Sequence, residues 1–199
     1  MKNYDIDKIL RPAFKLFLTN NYESVSTSKL EEESGLTRGA LFYKHKSKEA
    51  LFRAVVDRYI LDFLSQNVPF TNNITLKEYM DSFLNALMIR MDSMKSLGID
   101  NLHRGFFNLM YEALKYYPDF GEKISLFFES SLERWTLVVQ QALDSGEIES
   151  KSEAKTIARQ FQSLYTGLAF EQSLHTGLDF EELQKAYLDY YNTLIKVTI

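Results

Sequence analysis

The chain has 199 residues, 45% hydrophobic and 25% charged, with a net charge of −4, enough for one large domain or two small ones with a real core. No run of about 18 apolar residues occurs, so no membrane-spanning helix is expected, and the opening MKNYDIDKILRP lacks the apolar centre of a secretory signal. The absence of cysteine removes disulfides, thiolate metal sites and cysteine nucleophiles together, and it fits a reducing cytoplasm.

The hydrophobic period is helical nearly everywhere, and the spacing predicts about nine helices and no strand worth defending. Ile6, Ile9, Leu10, Ala13, Phe14, Phe17 and Leu18 mark the first, ended by Asn20-Asn21. Pro12 predicts that it starts near Ile9 or bends there. SVSTSKLEEESG gives a short second helix, capped by Ser26 or Thr27 and stopped by Gly35 in a left-handed conformation. Thr37 caps a third helix expected to reach about His45, and Ser47 caps a fourth, with Leu51, Val55, Tyr59, Ile60 and Phe63 on one side, fading by Asn67. FTNNIT reads as a linker. A fifth helix carries Leu76, Tyr79, Met80, Phe83, Leu84, Leu87, Met88 and Met91; a sixth carries Leu102, Phe106, Leu109, Met110 and Ala113 and stops at Pro118. Phe120 to Leu143 makes a long seventh, Ala154 to about His175 an eighth, and Phe180 to Ile195 a ninth.

Charge is unevenly spread. Residues 1–48 hold nine Lys/Arg against six Asp/Glu, and residues 49–199 hold 14 against 21. From Leu36 to Lys48 there are four cations (Arg38, Lys44, Lys46, Lys48) and no carboxylate. A basic end on an acidic body suggests a polyanion partner for that end alone, although chance placement of surface charge gives the same balance.

Residues 27–45 have the spacing of a helix, a tight turn and a second helix. Leu30 and Leu36 can pack the two together, and Leu41 can face the first helix across the Gly35-Leu36-Thr37 turn. The second short helix then presents its N-terminus outward, where free N–H groups favour phosphate. Gly39 leaves room for a backbone to approach. A carboxylate-free stretch is what a surface lying against phosphates requires.

Over ILRPAFKLFLTNNYESVSTSKLEEESGLTRGALFYKHKSKEALF the chain resembles the N-terminal DNA-binding region of the TetR/AcrR family of transcriptional regulators. SGLTRGALFYKHKSKEAL matches that family's pattern without gaps, and the resemblance is specific over residues 9–55 and architectural beyond. It implies an all-α fold, with a helix-turn-helix domain at 1–48 and an effector-binding and dimerisation domain at 49–199, joined by a helix at 48–67. It further implies that Thr27 and Thr37 meet phosphate and that Arg38 and Tyr43 enter the major groove, where Arg38 can read guanine as a two-pronged donor. Gly39, Ala40, Phe42 and Lys44 line the same surface, and Lys48 meets the backbone at the start of the fourth helix. Three positions depart from the pattern. Phe42 replaces a tyrosine whose hydroxyl reaches phosphate; Lys44 takes a histidine position; and His45 replaces an inward-packing phenylalanine, which makes DNA affinity sensitive to pH if His45 is partly buried.

Beyond residue 49 the resemblance implies a pocket for a small, largely apolar effector among the fifth to eighth helices. Candidate lining residues are Phe83, Leu87, His103, Phe106, Phe107, Met110, Tyr111, Phe128, Trp135 and Tyr165, with Phe127 and His175 beside them. The same residues at helical spacing also suit a plain core. The eighth helix (Ile157, Phe161, Leu164, Tyr165, Leu168, Ala169, with small Gly167) and the ninth (Phe180, Leu183, Ala186, Tyr187, Tyr190, Tyr191, Leu194) offer apolar faces to a second subunit or to the chain's own core. Glu171 and His175 share a helical face, but two candidate ligands are a common coincidence. No phosphate-cradling glycine loop or nucleophile motif occurs, so neither an enzyme nor a metal or other cofactor is expected. The expectation is a cytoplasmic homodimer, paired through its last two helices, that represses transcription from palindromic double-stranded DNA. The rival from another class is a helical small-molecule binding protein with a degenerate DNA-binding domain.

Overall fold

In the computed structural model, residues 6–62, 74–96 and 98–195 are described. Among them the chain forms nine α-helices: α1 (Ile6–Thr19), α2 (Thr27–Ser34), α3 (Arg38–Leu41), α4 (Lys48–Val56), α5 (Leu76–Lys95), α6 (Leu102–Tyr116), α7 (Phe120–Ser145), α8 (Ala154–Ser173) and α9 (Phe180–Leu194). A 3₁₀ turn at Tyr22–Ser24 links α1 to α2, and α4 passes into a π-type turn at Asp57–Leu61. The only bridge of β type among these residues pairs Ile148 with Ile195. The expected FTNNIT linker and the fading of the fourth helix by Asn67, with Phe63, fall largely outside the described residues.

Caps set the helix starts. Ser26, Thr37 and Ser47 each accept from a backbone N–H three residues on, Thr75 and Glu78 form a reciprocal capping box, and Asp179 accepts from Glu181 and Glu182. Gly35 ends α2 at φ 64°, the left-handed conformation that glycine adopts without strain.

Two helix limits differ from expectation. α1 runs unbroken from Ile6 through Pro12. Proline there forfeits one bond, to the carbonyl of exposed Lys8, which water can solvate. α3 stops at Leu41 rather than near His45, and the chain turns through Phe42–Lys44, with the Tyr43 N–H reaching back to the Ala40 carbonyl at 3.4 Å. Gly39 and two aromatics are weak helix formers, and no opposite charges stand four apart to support another turn.

The chain packs as two units, residues 1–66 with 105–125, and 67–104 with 126–199. The break expected after residue 48 marks the end of the basic segment; the packing unit runs further because α4 buries Leu51, Phe52, Val55 and Val56. In the first unit Phe14 stacks on Tyr59 at 4.2 Å and Phe17 meets Phe52 edge-on at 5.0 Å. Leu109 and Ala113 of α6 are fully buried there. In the second unit Trp135 is the centre, stacked on Phe161 at 5.1 Å and met edge-on by Tyr79 and Phe83. The Tyr187 hydroxyl donates to the Phe161 carbonyl at 2.8 Å. Glu147, just past α7, accepts from the N–H groups of Leu76 and Lys77 at 2.9 and 3.0 Å, tying down the start of α5.

Candidate nucleic-acid interface

Leu30 and Leu41 are buried, so α2 and α3 are clamped by the residues the spacing marks for that purpose. Around them lies an open hollow of about 500 Å³ lined by Thr27 of α2, Arg38 and Gly39 of α3, Phe42, and Lys46, Ser47 and Lys48 at the start of α4. Five of the nine expected DNA contacts (Thr27, Arg38, Gly39, Phe42 and Lys48) therefore meet on one surface. Tyr43 is 52% exposed, and Thr37 and Lys44 are exposed too. A Cβ added to Gly39 would meet nothing within 4 Å, so the space before it is open. Ala40 is different: it is buried, and its N–H goes to the Thr37 hydroxyl at 3.4 Å. It packs α3 rather than facing the hollow.

Lys46 and Ser47 also line this hollow, although the sequence reading placed neither among the contacts. The signal for Lys46 was its place in the cation run. Ser47 carries the sequence signal of a cap alone, and it is one, accepting from the Ala50 N–H at 3.0 Å.

The N-terminus of α3 is less free than expected. The Arg38 N–H donates to Glu31 Oε1 at 2.7 Å, and the Ala40 N–H is taken by Thr37. Glu31 thus caps α3 from α2, while Glu33 pairs with Lys15 at 3.2 Å. Within the Glu31-Glu32-Glu33 run, Glu31 joins α2 to α3 and Glu33 joins α2 to α1. Lys48 Nζ donates to the Tyr22 carbonyl at 3.0 Å and sits 4.1 Å from the centre of the Tyr22 ring. His45 is half-buried, and its Nε2 meets no hydrogen-bond partner among the described residues. Burial, then the nearby Lys44 charge, pulls its pKa below the usual value, so the ring is neutral at pH 7.

The expected effector residues fall in both units. In the second, Phe83 touches Trp135 and Tyr165 edge-on at 5.6 Å each, Leu87 is buried, and His103 Nε2 lies 3.1 Å from the Tyr165 hydroxyl. Burial lowers the His103 pKa to about 4 and raises that of Tyr165 to about 12, with Arg90 opposing the latter. Phe128 is 45% exposed, its ring against Phe127. In the first unit Phe106 is buried edge-on to Phe14, Phe107 and Met110 are half-buried, and Tyr111 is 60% exposed. The backbone carbonyl of His175 accepts from Arg104 and Asn101. Ile157, Phe161, Ala169, Leu183, Tyr187 and Leu194, offered by sequence to a second subunit, are buried inside the unit. Outward small or apolar residues there include Gly167 and Phe170 of α8, Leu174 at its C-cap and Leu188 of α9. Among the described residues no helix is long and apolar enough to cross a membrane, and no group of three or more acidic or histidine side chains is placed to hold a metal.

Residues 9–55 match the model of the bacterial regulatory proteins of the tetR family. The HTH-type transcriptional repressor ComR of Escherichia coli (strain K12) is 41% identical over 66 residues, which span 33% of this chain and 31% of ComR. The regulatory protein TetR of Rhodobacter sphaeroides superposes with a TM-score of 0.68 at 15% identity, over 96% of this chain and 98% of that one. SmeT, the repressor of the Stenotrophomonas maltophilia efflux pump SmeDEF, superposes with a TM-score of 0.65 at 18% identity, over 98% and 93%; its structure with triclosan gives 0.64 at 17%, over 96% and 92%. At such identities the superpositions establish a shared architecture alone.

Proposed function

We propose that the chain is a regulator of the bacterial tetR family and that it works in the cytoplasm as a homodimeric repressor, released from a palindromic operator by a small, largely apolar effector. The observation that carries the reading is the hollow in which Arg38, Gly39, Lys46 and Lys48 meet with Thr27, the first residue of α2, and the cap Ser47. Its donors are cations and hydroxyls, suited to a phosphate backbone, and exposed Arg38 and Tyr43 stand ready for base edges. ComR, a relative 41% identical over 66 residues, is a transcriptional repressor.

One short recognition helix gives little affinity, so two copies on twin half-sites are the natural arrangement. The outward Phe170, Leu174 and Leu188, exposed by 46, 62 and 40%, supply an apolar face for pairing. A second hollow of about 700 Å³ on α7 and α8 sets Glu129 and Glu133 opposite Lys155 and Arg159, charges that a two-fold partner can complement. For the effector, the aromatic set around Phe83, Trp135 and Tyr165 gives apolar contact, with His103 as a neutral polar tip; the binding of triclosan by the similarly folded SmeT supports an apolar ligand. Such a ligand switches the protein only by favouring one arrangement of the recognition helices over the other.

Duplex DNA taken from beside the protein's own gene tests the proposal by mobility shift, with light scattering for the subunit count. Retention by the wild-type chain, and loss on Arg38→Ala with an unchanged circular dichroism spectrum, are expected. A folded protein that binds a hydrophobic ligand but no such duplex favours the rival reading, a small-molecule binder whose helix-turn-helix has lost its use; Phe42, without the usual hydroxyl, is the residue that speaks for it.

A further inference from the structure

Glu112 is a carboxylate outside the recognition surface, on α6, and only 8% exposed. Burying an anion is costly unless its oxygens are satisfied. Here Oε2 accepts the Tyr22 backbone N–H at 2.9 Å, and Oε1 accepts from Lys115 at 3.3 Å. Tyr22 opens the 3₁₀ turn between α1 and α2; the turn's bonds, Ser24 N–H to the Asn21 carbonyl at 3.0 Å and Val25 N–H to the Tyr22 carbonyl at 3.2 Å, leave the Tyr22 N–H to Glu112. α6 holds Tyr22 twice, by Glu112 on the backbone and by Tyr116 stacked on the ring at 4.1 Å. Phe52 closes the ring's edge at 5.0 Å.

Tyr22 in turn holds Lys48. Its carbonyl and its ring face meet the same ammonium, at 3.0 and 4.1 Å. Lys48 lines the basic hollow. An ammonium has three donors, so the bond to Tyr22 leaves others for a phosphate. Fixing a long, freely rotating side chain in advance lowers the ordering cost of binding.

We infer that Glu112 is a positioning residue for DNA binding: by anchoring Tyr22 it holds the Lys48 ammonium at the rim of the recognition surface. The inference rests on reading that surface as the DNA interface. It makes α6 a handle on the phosphate contact, because a movement of Glu112 away from Tyr22 frees Lys48 without touching any residue of the hollow.

The test is a double-mutant cycle on affinity for a duplex that the wild-type chain itself selects from a random-sequence library. Glu112→Ala is expected to weaken binding about five- to tenfold. Glu112→Gln, which keeps a carbonyl acceptor for the Tyr22 N–H, stays within about twofold. In a Lys48→Ala background Glu112→Ala adds nothing. An equal loss from Glu112→Ala with and without Lys48 would mean a general structural role and overturn the inference, as would wild-type affinity in Glu112→Ala. If the alanine variant does not fold, Glu112→Asp, which keeps the charge but draws it back from Tyr22, carries the same cycle. A wild-type chain that enriches no duplex brings down the DNA reading and this inference together, whereas a duplex bound equally by the Glu112 variants brings down this inference alone.

Discussion

Gly105 of α6 faces Leu18 of α1 so closely that a Cβ built on it would lie 2.4 Å from Leu18 Cγ. Leu18 is buried, so its branch point cannot swing away. Within a helix alanine is ordinarily the better residue by about 1 kcal/mol. Here overpacking reverses the sign, and Gly105→Ala is expected to destabilise the fold by about 1–3 kcal/mol. Urea unfolding checks it. In a Leu18→Ala background the same substitution should cost little or become favourable; an equal penalty in both backgrounds would show that the contact is not the cause.

His103 predicts a pH dependence. Its folded pKa, about 4, lies below the ordinary value of 6.5 because burial opposes the charged ring. The unfolded chain therefore binds this proton more readily. The stabilisation is complete above about pH 6.5 and is lost as the pH falls toward 4, by on the order of 3 kcal/mol in all. Other groups titrate in the same range, so the measurement is a difference: the stability lost between pH 7 and 4.5 should be about 2–3 kcal/mol smaller in His103→Phe than in the wild type. Parallel curves for the two proteins would refute the assignment.

Glu31 sets a carboxylate at the mouth of α3, on the Arg38 N–H. A phosphate approaching that helix end meets a like charge and an occupied donor. Glu31→Gln keeps an acceptor but removes the charge, so DNA affinity should rise about threefold at low salt, with the gain shrinking as salt is added. Anisotropy titrations at two ionic strengths would reveal it; weaker binding by the variant would mean that the cap matters more than the repulsion.

His45 leaves a buried nitrogen without a partner among the described residues. Replacing it by the phenylalanine usual in the resembling family removes that cost, and His45→Phe should raise stability by about 1 kcal/mol. A lower urea midpoint would show that the site cannot accept the larger ring.

What could be read in advance follows physical locality. Thr37 and Ser47 announce their caps, and Gly35 its left-handed turn, because each is decided within four residues; for α2 the sequence offers Ser26 or Thr27, and Ser26 is the cap. The hydrophobic period likewise locates Leu30, Leu41 and Trp135 in cores, but it cannot say whose core. Phe161 and Tyr187 looked equally fit for a second subunit until their burial against Trp135 was seen. The roles of Glu31 and Glu112 were hidden for a similar reason. An isolated carboxylate carries no periodic signal, and Glu112 finds its partner 90 positions away. The end of α3 was misjudged because a family pattern gives residue types, not the point at which weak helix formers give way to a turn.

The wide turn at Asp57–Leu61 has one further implication. Such a turn takes up one residue more than an α-turn would. Val55 and Val56 before it and Ile60 within it are all fully buried, so the extra residue is absorbed without turning either stretch out to water. Val55, Val56 and Ile60 thereby keep one common buried side, and deleting one residue within the turn should let the helix close as a regular α-turn with that side unchanged.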